Sequence, residues 1–306
     1  MIFIVGPTCS GKTSTSIELA KKIKGAEIIS ADSRQVYKYF SVGTAKPAGK
    51  WEPLKGKLAF FCEGIAHHLV DFLDPGNYFS AGSFAELASE KAAEIKKRGG
   101  TPVFVGGTGL YIDSFINGIA AMPQRDETIR EELLKLEKKR GRAYLHKKLE
   151  EADPISAKNI HPNNIHRVIR ALEIFRITGR PISELHKTDR LSRAGKKEKH
   201  SIFGLKLDRA ELYEKINKRV EWMLENGMVE ETKQILSLGY NLENSPALKS
   251  VGYPHVIEFL ENRLPFEKMK SLIQQDTRNY AKRQMTWFNR NKDINWVAKE
   301  DIWKKL

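Results

Sequence analysis

The chain has 306 residues, with 52 Lys and Arg against 38 Asp and Glu for a formal net charge of +14, and 41% hydrophobic against 29% charged side chains. These values exclude a low-hydrophobicity disordered chain, allow about two domains with a sizeable core, and predict an attraction for polyanions. No apolar run reaches the ~18 residues that span a bilayer, and Cys9 and Cys62 are too few for a disulfide framework or a Cys-rich zinc site; a soluble cytoplasmic protein with two free thiols is expected.

Ile2 to Val5 is a short apolar run that stops at Gly6. From Thr13 to Ile23 apolar residues return at helical spacing (Ile17, Leu19, Ala20, Ile23), which predicts strand, glycine loop, helix. Further strands are predicted at Glu27 to Ser30, His68 to Asp71 and Pro102 to Val105, and a helix from Phe84 to Arg98 is stopped by Gly99 and Gly100. Strands that are apolar throughout and alternate with helices imply a parallel sheet covered on both faces, so residues 1–123 read as a doubly wound α/β core. Residues 124–200 turn helical and heavily charged and read as a helical insertion, with Thr188 to His200 as a polar, basic loop. Residues 201–306 return to the core through a strand, Ile202 to Leu207, and continue as helices at Leu212 to Asn226, Val229 to Leu238 and Phe266 to about Asn289. Net charge over the three regions is +3, +8 and +3, so the insertion carries more than half the excess. A face turned toward a polyanion has that pattern, and so does a solvated helical face.

Gly6-Pro7-Thr8-Cys9-Ser10-Gly11-Lys12-Thr13 fits G-x-x-x-x-G-K-[ST] in the strand-to-helix setting that this phosphate loop (P-loop) requires. Glycines let the backbone curl so that successive N–H groups face one phosphate, and the helix N-terminus adds about half a positive charge. Lys12 adds a full charge and Thr13 a hydroxyl for Mg²⁺. The motif serves hydrolases, kinases and other transferases alike, so it identifies a phosphate ligand and not a reaction. Asp32 follows the second strand, at the carboxyl edge where open parallel sheets place ligands. There a carboxylate can take a proton from a nucleophile, bind Mg²⁺ or cap a helix, and the residues alone leave these open. Thr108, in Gly106-Gly107-Thr108-Gly109, follows the fourth strand at the same edge, as a donor to substrate or an N-cap.

With these segments in view, the sequence resembles the tRNA dimethylallyltransferases (tRNA isopentenyltransferases). Gly6-Pro7-Thr8, Asp32-Ser33-Arg34-Gln35-Val36-Tyr37, Gly43-Thr44-Ala45-Lys46-Pro47, His67-His68-Leu69, Gly106 to Tyr111, Arg167 to Glu173, Thr178-Gly179-Arg180-Pro181 and Tyr280-Ala281-Lys282-Arg283-Gln284 stand in family order. His166 departs from it, since the family usually has Gln there.

The resemblance implies transfer of a dimethylallyl group from dimethylallyl diphosphate to N6 of the adenosine next to the anticodon, position 37, in tRNAs that read codons beginning with U. No NTP hydrolysis is implied. Asp32 is then the general base; Thr108 contacts the adenosine; Asp32, Ser33, Arg34 and Gln35 touch the neighbouring tRNA; and Arg130, His166, Arg167, Val168, Ile169 and Arg170 contact RNA. Arg219 supports diphosphate binding beside the phosphate loop, with Mg²⁺ as cofactor. The acceptor base is expected to be extruded into a channel between core and insertion. Arg278, Lys282 and Arg283, interleaved with Tyr280 and Trp287, suit phosphate contact and stacking, with core packing as the competing reading for the aromatics. His67 and His68 lack further ligands at metal-site spacing, so a supporting role is expected. The rival functions are prenylation of free AMP, ADP or ATP, a small-molecule P-loop kinase, and a non-catalytic RNA-binding module. The +8 insertion argues for RNA over a free nucleotide, and a monomer is expected.

Overall fold

In a computed structural model, which describes residues 1–118, 122–192 and 200–305, the chain divides into two units: Met1–Ile116 with Glu198–Leu306, and Asn117–Lys197. The strands are β1 (Ile2–Val5), β2 (Ala26–Ser30), β3 (Lys50–Leu54), β4 (Lys57–Cys62), β5 (Ile65–His68), β6 (Thr101–Gly106), β7 (Ser201–Leu205) and β8 (Ile294–Val297). The helices of the first stretch are α1 (Lys12–Lys22), α2 (Ala81–Lys97) and α3 (Gly109–Asn117). Then come α4 (Glu127–Arg140), α5 (Arg142–Ala152), α6 (Pro154–Asn159), α7 (Ile165–Thr178) and α8 (Ile182–Ser192). The last stretch holds α9 (Arg209–Glu225), α10 (Met228–Ser237), α11 (Tyr253–Leu260) and α12 (Phe266–Phe288).

The first unit is built on one eight-stranded sheet in the order β3-β4-β5-β2-β6-β1-β7-β8. The six strands from β5 to β8 in that order run parallel, and β4 and β3 extend the β5 edge antiparallel. Both faces are covered, as apolar parallel strands require. On one face Ile4, Ile28, Val103, Val105 and Phe203 pack with Ile17, Leu19 and Ala20 of α1. On the other, Phe3 stacks on Phe104 with ring centroids 4.6 Å apart, and both meet Phe115 of α3. Each such buried ring contributes roughly 1.5–3 kcal/mol of transfer free energy. The carboxyl ends of β1, β2 and β6 carry the phosphate loop, Asp32 and the Gly106–Thr108 segment. Three remote stretches are thereby gathered at one edge.

Four expectations change. The third strand lies earlier than its apolar run suggested: β5 ends at His68 because Leu69 and Asp71 take left-handed backbone angles, φ 60° and 55°. The β3–β4 hairpin was unread because lysines and Pro53 interrupt its apolar pattern. The C-terminal region is not all helix: β8 pairs with β7, and α11 is an extra helix. Within the expected 188–200 loop, α8 continues to Ser192, while residues 193–199 lie outside those described.

The second unit is helical. Leu133, Leu145, Leu149, Val168, Ile169 and Leu172 form its core. Asp153 caps α6 and binds α8, accepting from the amides and hydroxyls of both Ser156 and Ser183 at 2.7–2.9 Å. Burial opposes its ionisation, but those four bonds outweigh it and hold the carboxyl below the usual range. Among the described residues no helix is long and apolar enough to cross a membrane, and both cysteines are free and buried.

Candidate active site

The phosphate loop turns between β1 and α1 through left-handed angles at Cys9 (φ 63°) and Gly11 (φ 87°), with Gly6 at φ 145°. Gly6 is open to no other residue: a Cβ there would press on Ser10 Oγ at 3.1 Å. Ser10 Oγ donates to the Pro7 carbonyl at 2.8 Å, which pins the loop's curl. No side chain caps α1, so its first-turn amides, including Lys12 and Thr13, are left for an anion. The Thr8 amide is different: it donates to Gln284 Oε1 at 2.8 Å and is already committed.

A cavity of about 780 Å³ opens on this loop. Thr8, Cys9, Ser10, Gly11, Lys12 and Thr13 line it together with Asp32, Arg34, Gln35, Arg219 and Arg283, whereas Gly6 and Pro7 lie beneath, buried. Five basic side chains, Lys12, Arg34, Arg219, Lys249 and Arg283, face two acidic ones, Asp32 and Glu63, across the lining as a whole. That balance suits a multiply charged anion. Lys12 Nζ lies 2.5 Å from the Pro7 carbonyl. Burial pushes the Lys12 ammonium down to about 8, Asp32 pulls it up, and Arg219 pushes it further down. A bound anion offsets that desolvation by Coulomb attraction and favours the charged form.

Asp32 is held by its own turn. Its Oδ1 accepts the amides of Arg34 at 2.8 Å and Gln35 at 3.3 Å, so Oδ2 has no partner among the described residues. Thr108 lies behind this turn and does not itself line the cavity. Its Oγ1 accepts the Ser33 amide at 3.0 Å, leaving the hydroxyl proton to donate. Beside both is Tyr280 of α12, whose phenol is pushed up to about 12 by burial and by the Asp32 charge. Thr108 stands at the N-cap position of α3, its backbone carbonyl accepting from Tyr111 and Ile112, but its side chain bonds Ser33 N and not the first turn of the helix.

Two side chains that sequence reasoning left out of the site organise it. Gln284 of α12 bridges the phosphate loop and the β6 loop, accepting from Thr8 N and donating to the Gly107 carbonyl at 2.9 Å. Gly107 and Gly109 must be glycine because a Cβ would collide with Gln284 and Trp287 of the same helix. The signal was present in the Tyr280 to Gln284 run, but nothing in it tells which side chain turns inward. His67, at the end of β5, is 4% exposed and lines the cavity. Its Nδ1 is 2.9 Å from the Ile65 carbonyl and therefore carries the proton, while the buried Nε2 has no partner. Burial pushes this imidazole down, so it is neutral near pH 7. His68 instead binds Glu27 at 2.6 Å, and among the described residues no cluster of metal-ligating side chains occurs.

Of the residues expected to contact RNA, Val168 and Ile169 are buried and several others have partners inside the protein. Val168 and Ile169 are 0% and 2% exposed, in the core of the helical unit, because α7 must bury one face. Arg130 and Arg170 both bind Glu173 Oε2 at 2.8 Å, and the Glu173 side chain is fully buried, so both arginines have a partner inside the helical unit. Arg278 donates to Asn217 at 2.6 Å and ties α12 to α9. Arg34 and Gln35 also have inward duties: Arg34 Nη1 donates to the Pro246 carbonyl, and Gln35 Nε2 to the carbonyls of Thr44 and Ala45. His166, Arg167, Lys282 and Arg283 remain exposed, with Arg283 over the Tyr280 ring at 5.8 Å.

Fold and cavity together define a P-loop α/β protein with an anion-binding loop and a carboxylate in one pocket. The family model described as IPP transferase matches residues 35–291, and one described as isopentenyl transferase matches residues 1–57. The tRNA dimethylallyltransferase of Thermotoga neapolitana is 42% identical over 311 residues, covering 100% of this chain and 96% of that one. The enzyme of the same name from Acetivibrio thermocellus is 40% identical, with 99% and 92% covered. Among solved structures, the tRNA isopentenylpyrophosphate transferase of Bacillus halodurans superposes with a TM-score of 0.66 at 36% identity, covering 99% of this chain and 92% of that one. A eukaryotic dimethylallyltransferase, described as acting on tRNA, gives 0.74 at 27% identity, with 99% and 75% covered. The chain belongs to the IPP transferase family.

Proposed function

We propose that this protein transfers a dimethylallyl group from dimethylallyl diphosphate to N6 of the adenosine next to the anticodon in tRNA. The observation that carries the reading is that the phosphate loop and Asp32 line one cavity, with cations in excess. The amides at the α1 N-terminus, Lys12 and Arg219 receive the diphosphate and stabilise the charge that grows on it as the allylic C–O bond breaks. The N6 lone pair forms the new C–N bond, and its proton passes to the unpartnered Oδ2 of Asp32. The amine is a weak nucleophile because its lone pair is delocalised into the purine, so removing this proton during attack lowers the barrier. Thr108, its oxygen bonded to Ser33 N, supports the Asp32 turn from behind.

The oxygen donors fit a divalent cation in part. Thr13 lies at the cavity lining, a single hard-oxygen donor that would suit Mg²⁺ held chiefly by phosphate oxygens and water. Bound there, such an ion supplies charge neutralisation of the leaving diphosphate. Arg167 and His166 on α7, and Lys282 and Arg283 on α12, are the exposed groups assigned to RNA. The reading includes a monomer working in the cytoplasm.

Labelled dimethylallyl diphosphate offered to the purified protein with unmodified tRNA or with AMP tests the reading. Label in tRNA is expected. Label in AMP alone would move the substrate to free nucleotides, and label in neither would refute prenyl transfer.

A further inference from the structure

The segment 41–48 supplies one wall of the cavity through Gly43, Thr44, Ala45, Pro47 and Ala48. Its backbone closes one turn on itself, from Ala45 N to the Val42 carbonyl at 3.0 Å and from Lys46 N to the Ser41 carbonyl at 2.9 Å. Tyr39 and Ala45 take left-handed angles, φ 69° and 48°, conformations that side chains other than glycine adopt only when the surroundings enforce them. To that turn α10 adds a carboxylate. Glu231 points its carboxylate into the segment, where Oε2 accepts the amides of Ser41 at 2.6 Å and Val42 at 2.7 Å, and Oε1 accepts that of Gly43 at 3.0 Å. Three successive N–H groups turned on one point form an anion nest, and the protein fills this one with its own carboxylate. A fourth bond, from the Tyr253 hydroxyl to Oε1 at 2.6 Å, fixes the carboxylate from α11. Tyr253 is fully buried, and Gly43 is glycine because a Cβ would lie 2.5 Å from the tyrosine hydroxyl.

The clamp reaches the reacting end of the cavity through Gln35. Its side-chain amide donates to the Thr44 and Ala45 carbonyls, and its backbone amide donates to Asp32 Oδ1. At the far end of the segment, Lys46 Nζ is 2.6 Å from both the Tyr37 carbonyl and Asp71. The wall, the Asp32 turn and α10 therefore form one bonded chain, and Glu231 is its anchor on the C-terminal helices.

We infer that Glu231, fixed by Tyr253, is a positioning residue of the donor site: it sets the 41–48 wall against which dimethylallyl diphosphate binds and, through Gln35, steadies the turn that carries Asp32. The inference rests on the donor reading of the cavity given above. Four donors meet four acceptor positions on the carboxylate. Glu231→Gln replaces one oxygen with an NH₂ group and strands two of those donors, whereas Tyr253→Phe removes a single donor and leaves the nest intact.

The experiment measures pyrophosphate affinity by calorimetry and KM for dimethylallyl diphosphate and for tRNA, with thermal melting to follow folding. Leaving buried donors unpaired predicts roughly a tenfold or greater weakening for both pyrophosphate and the prenyl donor in Glu231→Gln, and about two- to fivefold in Tyr253→Phe. KM for tRNA is expected to stay within about twofold, a smaller shift than the loss of one unpaired hydrogen bond produces. A purely structural role would lower the melting temperature of the variants while leaving donor affinity intact well below it. Folded variants with unchanged pyrophosphate affinity and unchanged donor KM overturn the inference. If Glu231→Gln does not fold, Tyr253→Phe decides by the same measurement. Calorimetry reports on the wall even if the wild type prenylates nothing, so the failure of this inference and of the proposed activity are separable.

Discussion

The phosphate loop and α7 both carry cations that their sequences mark out for a polyanionic ligand, yet the two segments spend them differently. In the loop, Lys12 stands in a cavity with Arg219 and uncapped helix amides, and the buried ammonium is made costly to charge until an anion arrives. On α7, Arg170 joins Arg130 on the buried Glu173, while Arg167 and His166 stay at the surface. Cations in a stretch of sequence are thus not equivalent: a single buried carboxylate converts two of them into framework. What distinguishes the two regions is what the internal carboxylate binds: Glu173 takes the two arginines, whereas Asp32 takes backbone amides and leaves Lys12 without a carboxylate bond among the described residues.

That contrast can be broken most directly at the anion of the loop cavity. Asp32→Asn keeps the turn's shape and the bonds from Arg34 and Gln35 but removes the proton acceptor. Turnover is expected to fall by about 10²–10⁴ with tRNA affinity retained, and unchanged single-turnover rates would take Asp32 out of the chemistry. On the other side, Glu173→Gln is expected to destabilise the chain by about 3 kcal/mol in denaturant unfolding, because it leaves two arginines facing a site without its charge. If stability is unaffected but tRNA binding weakens sharply, the arginines act on RNA after all.

Smaller effects sharpen the same distinction. Gln284→Ala frees the Thr8 amide and the Gly107 carbonyl, and a loss of about 1–3 kcal/mol is expected in melting or donor affinity. Arg167→Ala is expected to reduce the slope of log affinity for tRNA against log salt by about one, while Arg130→Ala changes stability instead; equal slopes for the two would erase the contrast. The smallest signal concerns Lys12. With its ammonium at about 8 in the free protein, and charged when a diphosphate is bound, binding takes up about half a proton near pH 8 and approaches one above it, and affinity falls as pH rises above that value. Calorimetry in two buffers of different ionisation enthalpy measures the uptake, and proton release in its place contradicts the assignment.

Much of the core was legible because its signals are local. β1, β2 and β6 are short apolar runs, and α2, α9, α10 and α12 keep helical spacing, so each was expected within a few residues of where it lies. The elements that were missed depend on partners. β8 is a strand by pairing with β7, and the β3–β4 hairpin by pairing with the edge at β5, despite Pro53 and its lysines. β5 was shifted because left-handed angles at Leu69 and Asp71, which no spacing records, end it early.

The same division runs through the site. The phosphate loop is a contiguous octapeptide whose backbone curls by its own glycines and by Ser10, so its shape was legible in its sequence alone. Asp32 and Thr108 could be named from their position after strands, since parallel sheets present such residues at one edge. The inward turn of Gln284 and Glu231, the pairing of Arg130 and Arg170 with Glu173, and the placing of Val168 and Ile169 in a core were decided only by tertiary structure. The physical reason is that each depends on which side of a helix is dry, and on whether a buried charge or amide within reach still lacks a partner, and both are settled by packing between segments far apart in the chain.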